Sequence, residues 1–187
     1  MTDLAHQVLS PAFAIAVESA TDVAARDVLL DCAMGPRWRR KASEKLRRGR
    51  RPAEGLAFVA RDGDGTVIGT VRLWNVRAGE CDALLLGPLA VDPSLKSSGV
   101  GSALMRHAIA EAGRLGHGAV LLVGDPGYYE RFGFSSGLTG GLAMPGPYEP
   151  HRFLALEFRA GALEGASGVL RANGRRIEAA GRQRMAA

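Results

Sequence analysis

Leu89-Ala90-Val91-Asp92-Pro93-Ser94-Leu95-Lys96-Ser97-Ser98-Gly99-Val100-Gly101-Ser102-Ala103-Leu104-Met105 is the stretch on which the reading of this chain turns. An apolar run suited to a strand ends at Asp92-Pro93, and Leu104, Ala108, Ala112 and Leu115 then recur at helical spacing. The stretch is therefore a strand, a turn and a helix start. Such a turn exposes main-chain N–H groups where unpaired donors and the helix dipole favour an anion such as a pyrophosphate. Glycine at 99 and 101 would let phosphates reach the backbone, which a side chain would hold off. Taken alone, Gly-x-Gly before a helix is also an ordinary helix start. Two common phosphate motifs fail here: a dinucleotide fingerprint needs Gly or Ala where Leu104 stands, and a Walker loop needs lysine after its last glycine, where Ser102 stands.

Outward from this stretch, the chain reads as alternating strands and helices. Residues 13 to 18 form a short strand, and Thr21-Asp22 offers an N-cap and a first-turn acid for a helix that ends at Gly35-Pro36. Trp38, Ala42 and Leu46 give residues 37 to 51 one narrow apolar stripe on an otherwise basic helix, docked on the surface along that stripe. Residues 56 to 61 and 66 to 75 flank Asp62-Gly63-Asp64-Gly65 and form a hairpin. A third run, 83 to 91, contains Gly87-Pro88, where a central strand should bulge or splay because proline cannot donate to a ladder. After the helix at 100, Gly116 is its stop, and 119 to 123 is a short buried strand. Residues 126 to 132 form a short helix ending at Gly133, 135 to 150 a glycine- and proline-rich loop, and 153 to 158 a last long strand. This order indicates an α/β fold, a mixed sheet flanked by helices.

Composition narrows the class. A length of 187 residues, with 47% hydrophobic and 23% charged side chains, suits one globular domain rather than a disordered chain. No G-X-Y period accompanies the 25 glycines, which excludes collagen. The net charge of +5 hides an asymmetry: residues 37 to 51 hold nine basic side chains against Glu44, and the last seventeen residues hold five arginines against Glu178. The remaining body is acidic, so the surface is not uniformly suited to nucleic acid. Cys32 and Cys81 are the two cysteines, neither with a partner at metal-ligand spacing, which argues against a disulfide framework or structural zinc. The first twelve residues lack the pattern of a signal peptide, and no run approaches the ~20 apolar residues of a membrane helix, so a cytoplasmic location is expected.

What remains resembles the GNAT superfamily of acyl-CoA-dependent N-acyltransferases. Its hallmark is Gln or Arg, two residues, Gly, one residue, then Gly or Ala, after a strand ending in Leu-x-Val. Leu89-Ala90-Val91 and Lys96-Ser97-Ser98-Gly99-Val100-Gly101 fit, with lysine at the first position. Farther on, Gly124-Asp125-Pro126-Gly127-Tyr128-Tyr129-Glu130-Arg131-Phe132-Gly133-Phe134 matches the Tyr-x-x-x-Gly-Phe element in the form seen in the YhbS-like bacterial branch. The resemblance covers residues 13 to 160, read as the acyltransferase domain. Residues 161 to 187 are then a C-terminal extension, packed at first and frayed from 171.

This resemblance implies a mixed, mostly antiparallel central sheet with splayed middle strands, and acetyl-CoA as co-substrate without a metal. Backbone groups of Leu89, Ala90 and Val91 would pair with the pantetheine arm. N–H groups of Ser97, Ser98, Gly99, Val100, Gly101 and Ser102 would cradle the pyrophosphate. Lys96 would add a point charge toward a phosphate or remain a solvated loop lysine. Tyr129 aligns with the tyrosine that protonates the departing thiolate, which a neutral phenol can do; otherwise it packs beside Phe132 and Phe134. The strand before the turn lacks the family's frequent glutamate, and Glu80, Asp82 and Asp92 read as strand-end residues, so the base is unassigned. His107 is expected to pair with Glu111 one helical turn on.

The function implied is an N-acetyltransferase that moves an acetyl group directly to an amine of a small molecule or protein through a tetrahedral intermediate. The alternative is a non-catalytic module that senses acyl-CoA or uses the basic helix on nucleic acid. Trp38 alone interleaves that helix with an aromatic, which speaks against nucleic acid. If the helix borders the acceptor's entrance, Arg39, Arg40, Arg47 and Arg48 favour an anionic acceptor by steering. A homodimer is compatible with this reading, and no membrane partner is expected.

Overall fold

The computed structural model describes residues 13–178; the N-terminal twelve residues, on which the leader expectation fell, and residues 179–187 of the tail lie outside them, whereas the fraying expected from 171 is not found at 171 to 176, where Arg171 and Ala172 pair with Arg77 and Val76 and Arg176 bridges to Arg50. The strands are β1 (Phe13–Val17), β2 (Ala57–Asp62), β3 (Val67–Ala78), β4 (Cys81–Val91), β5 (Ala119–Val123), β6 (Leu142–Ala143), β7 (Phe153–Glu157), β8 (Gly168–Val169) and β9 (Arg171–Ala172). The helices are α1 (Val23–Met34), α2 (Glu44–Arg47), α3 (Val100–Arg114) and α4 (Pro126–Tyr129). The main sheet runs β1-β2-β3-β4-β5-β7, with β9 added to β3 beyond the end of β2. All its pairings are antiparallel except β4 with β5.

Local chemistry explains the turns. At the β2–β3 hairpin the Asp62 carboxylate accepts from the N–H groups of Asp64 and Thr66, and Gly65 takes φ +81°, a region that favours glycine. Upstream, the capping box at the start of the first helical turn joins Ser19 and Asp22 rather than using Thr21 as the cap. Gly35, at φ +67°, ends α1 as expected.

The decisive irregularity is at Gly87-Pro88. Val71 pairs with Leu89 and Leu73 with Leu86, so two residues of β4 stand opposite Arg72 and the strand bulges. The indole N–H of Trp74 donates to the carbonyl of Gly87 at 2.6 Å and pins the bulge from inside the protein. On its other edge β4 pairs with β5 at Leu84 with Val120 and Leu85 with Leu121, after which the two strands part. Main-chain groups of β4 beyond Leu85 thus have no strand beside them on that edge.

Each face of the sheet has its own core. On one, Leu104, Ala108 and Ala112 of α3 pack against Phe58, Val71, Leu73, Leu84, Val120 and Leu154. Gly69 makes this contact possible, since a Cβ there would lie 2.9 Å from both Leu104 Cδ1 and Val100 Cγ1. Leu115, expected on the same stripe, is instead 42% exposed, because the helix ends at Arg114 and Leu115 is its cap. His107 also departs from expectation: its ring packs edge-on against Phe58 at 4.6 Å, while Glu111 pairs with Arg114.

The opposite face is covered by parts of the chain that carry no strong periodicity. Leu142 and Met144 from the glycine-rich segment, with Leu163 and Leu170, bury Trp74, Val76, Leu85, Leu121 and Phe153. Residues 135 to 150 are therefore more than a loop, and residues 161 to 172 are built into the same body, with β8 on β6 and β9 on β3. The basic segment is not the continuous helix that its stripe predicted. A 3-10 turn at Pro36–Arg40 is followed by the single turn of α2. Ala42 and Leu46 are buried on the sheet, but the Trp38 indole turns to Asp31 at 2.8 Å and Arg39 stacks on its ring. Gly35-Pro36 and the crowding of like charges leave too few residues for a stable helix.

Candidate active site

The strand–turn–helix stretch folds into a cavity of about 710 Å³. Asp92 makes the turn rigid by accepting from Ser94 N–H at 2.9 Å and Ser94 Oγ at 2.6 Å, bonds that hold its carboxyl below the usual range. Asp92 is thus committed to structure. Ser97 and Gly99 then take φ of +70° and +88°, which turns the backbone into the start of α3. The first turn of α3 leaves the N–H groups of Val100, Gly101 and Ser102 without intrahelical partners. Ser98 N–H is already given to Leu95 O at 3.1 Å and adds no free donor.

Most residues expected to cradle an anion come together. Val91, Lys96, Ser97, Ser98, Gly99, Val100, Gly101 and Ser102 all line this cavity. Leu89 lines a second one, while Ala90 is buried and faces neither. Two further residues stand at the cradle. The hydroxyl of Tyr128 comes within 3.2 Å of where a Cβ on Gly101 would be, so glycine at 101 leaves room for both the ring and a ligand. Arg131 donates to Ser102 Oγ at 3.0 Å and lies over the Tyr128 ring at 4.1 Å, bringing a fixed cation to the rim. Nothing in the motif distinguished Arg131 from its neighbours; its reach to Ser102 spans two elements.

The second cavity, about 70 Å³, opens where β4 and β5 part. It is lined by Gly87, Pro88 and Leu89 of the bulge, Leu122 and Val123 of β5, Tyr129 of α4, and Lys41, Ser43 and Arg47 of the basic segment. Tyr129 is carried there by α4, which Asp125 starts by accepting from Gly127 N–H at 3.3 Å. Burial, reinforced by Tyr128 and Asp125 against Arg152, pushes the Tyr129 phenol up to about 12, so the hydroxyl is a proton donor throughout the neutral range. Its ring stacks edge-on with Tyr128 at 4.9 Å and Phe134 at 6.1 Å.

Arg47 parts from the three arginines expected beside it. Of the four arginines expected at an acceptor entrance, Arg47 lines this cavity; Arg40 and Arg48 are exposed, and Arg39 is tied to Asp31. The side chain of Arg47 is 9% exposed, with Glu44 accepting from Nη1 at 3.0 Å. Nine cations in one run offered no signal for which would turn inward. The acids weighed as bases lie elsewhere: Asp82 binds Arg77 and Asn173, and Glu80 lies near Arg77 and Arg171 at the β3–β4 turn. Among the described residues, no group of three or more His, Cys, Asp or Glu could hold a metal, and no helix is long and apolar enough to cross a membrane.

Comparison with known proteins bears on this arrangement. The family described as "Acetyltransferase (GNAT) domain" matches residues 53–136. The "Uncharacterized N-acetyltransferase YhbS" of Escherichia coli K12 is 30% identical over 117 residues, 62% of this chain and 70% of that protein. Among solved structures, the GNAT family N-acetyltransferase YhbS from E. coli in complex with CoA superposes with a TM-score of 0.74 at 27% identity, over 90% of this chain and 93% of that one. A GNAT family acetyltransferase from Brucella melitensis in complex with acetyl-CoA gives 0.61 at 27% identity, over 80% and 90%.

Proposed function

Since the chain belongs to the GNAT family of N-acetyltransferases, we propose that it transfers the acetyl group of acetyl-CoA directly to an amine, with Tyr129 as the general acid. The carrying observation is the continuity of β4: Val91 lines the anion cradle, Leu89 lines the Tyr129 cavity, and the strand edge between them is open toward β5. A pantetheine arm laid along that edge would connect a diphosphate at the start of α3 with a thioester beside Tyr129. The cradle fits such a group, offering the N–H groups of Val100, Gly101 and Ser102, the cations Lys96 and Arg131, and a glycine where a Cβ would crowd Tyr128.

In this reading the acceptor nitrogen attacks the thioester carbon, the C–N bond forms and the C–S bond breaks. Tyr129 donates its proton to the sulfur as negative charge develops there, and the proton shed by nitrogen restores the phenol. Because burial pushes the phenol up to about 12, Tyr129 enters each turnover with its proton in place. Positioning supplies the rest: a neutral amine held against the thioester needs no dedicated carboxylate base. Cys32 is an exposed free thiol, in keeping with a reducing cytoplasm as the proposed location.

The test is to incubate the protein with acetyl-CoA and a panel of amines, following thiol release and product mass. Acetylated amine with stoichiometric thiol is the expected result. Tight acetyl-CoA binding without turnover on any amine would replace the enzyme with an acyl-CoA sensor.

A further inference from the structure

A guanidinium buried beside the reacting groups needs a reason. Arg47 gives Nη1 to Glu44, but its Nε has no hydrogen-bond partner although it is shielded from solvent. Buried polar groups are ordinarily satisfied. Nη2 makes no hydrogen bond among the described residues and lies against the bulge, 2.9 Å from where a Cβ on Gly87 would stand. Nε and Nη2 form one planar edge of the fork, the edge that meets a carboxylate or phosphate in paired hydrogen bonds.

The surroundings carry the same sign. Lys41 and Ser43 line both the 70 Å³ cavity and a neighbouring one of about 220 Å³, where Arg152 and Glu149 also stand. Burial, then the nearby Arg47 and Arg152, lowers the Lys41 ammonium. Glu149, 3.6 Å from Arg152, is the acid that lines this space; Glu44 is held by Arg47, and Asp125 acts on Tyr129 from outside the lining. Lys41 has no carboxylate partner among the described residues. The two cavities are too small for a folded partner but sufficient for a compact molecule.

We propose that the acceptor is a small amine bearing an oxyanion, a carboxylate or phosphate, and that Arg47 with Lys41 holds that group so that the amine meets the thioester beside Tyr129. This rests on the acetyl-transfer reading above. Charge at this depth selects the substrate as well as steering it, because a neutral acceptor would leave the Arg47 edge unpaired.

Matched pairs with and without the oxyanion provide the test: amino acids against their amides, and phosphoethanolamine against ethanolamine, each assayed with saturating acetyl-CoA and compared per concentration of neutral amine. The anionic member should show kcat/KM roughly tenfold or more above its neutral partner. Arg47→Met should collapse that ratio toward one while leaving acetyl-CoA affinity unchanged, and which anionic pair responds more strongly separates carboxylate from phosphate. If Arg47→Met does not fold, Lys41→Gln should reduce the same ratio. Equal kcat/KM within the pairs, or a ratio insensitive to both variants, overturns the proposal. If no amine is acetylated the transfer reading fails instead, and calorimetric titration of the same pairs onto the CoA-bound protein still decides whether Arg47 binds an oxyanion.

Discussion

The ring of Tyr129 occupies the space in which a side chain at Gly124 would begin: a Cβ built on Gly124 would stand 2.1 Å from Tyr129 Cε2 and 2.7 Å from Cδ2. Gly124 follows β5 directly, and its N–H donates to Arg152 O at 2.9 Å, so its backbone cannot retreat without disturbing the β5–β7 pairing. The ring, carried on the short α4, must move instead. Gly124→Ala is therefore expected to reduce turnover about as much as losing the Tyr129 hydroxyl, with acetyl-CoA affinity nearly unchanged. Steady-state kinetics beside calorimetric binding check this; normal turnover would show that the tyrosine has latitude.

Removing only the hydroxyl is the cleaner probe. Tyr129→Phe is expected to lower kcat by ~10²-fold, within the usual span for general acid–base steps. Because the phenol stays protonated until pH rises through about 12, the wild-type profile should climb as the amine deprotonates and show no descending limb below pH ~10. Tyr129→Phe should be slower at every pH with the shape retained. Unchanged kcat in Tyr129→Phe would remove Tyr129 from the donor role, whereas a descending limb near neutrality that vanishes in the variant would keep that role and place the phenol far below about 12.

At the cradle, the two glycines have different reasons. Gly99 takes φ +88° with open space around it, whereas Gly101 is helical and a Cβ would meet Tyr128 Oη at 3.2 Å and Val91 Cγ2 at 3.4 Å. Gly99→Val and Gly101→Leu should each weaken acetyl-CoA binding by an order of magnitude or more, the first through backbone strain and the second through lost space. Ser94→Ala removes a bond to Asp92 outside the N–H cradle and should change affinity much less. Equal losses in all three would argue against a backbone cradle.

Stability depends on a charge cluster that lies apart from the anion cradle and the Tyr129 cavity. The Glu18 side chain is 5% exposed and accepts from Arg26 of α1 and from Arg72 of β3, the latter's Nε at 2.7 Å. Glu18→Ala would leave two guanidiniums buried without their carboxylate and should cost about 3–5 kcal/mol in urea unfolding. Loss of less than about 1 kcal/mol would mean that the arginines find water or Asp27 instead.

Much of this protein was legible without coordinates because its main motifs are local. The Asp62-Gly63-Asp64-Gly65 hairpin, the bulge at Gly87-Pro88, the helix start at Gly99 and the Gly133 stop each follow from what a few adjacent residues allow the backbone to do. The residues from Lys96 to Ser102 that were expected around an anion line one cavity for the same reason, since the unpaired N–H groups of a helix start are a property of the main chain. Burial is a different kind of quantity. Whether Arg47 or Arg48 faces inward, whether His107 meets Glu111 or Phe58, and whether residues 142 to 170 wander or cover a sheet depends on groups tens of residues away. The stripe of Trp38, Ala42 and Leu46 suggested a helix, yet two short turns satisfied the same burial. The ring of Tyr129 on Gly124 and the unpaired edge of Arg47 arise only when β4, β5, α4 and the basic segment meet, because packing is decided by neighbours in space and a linear pattern records neighbours in sequence.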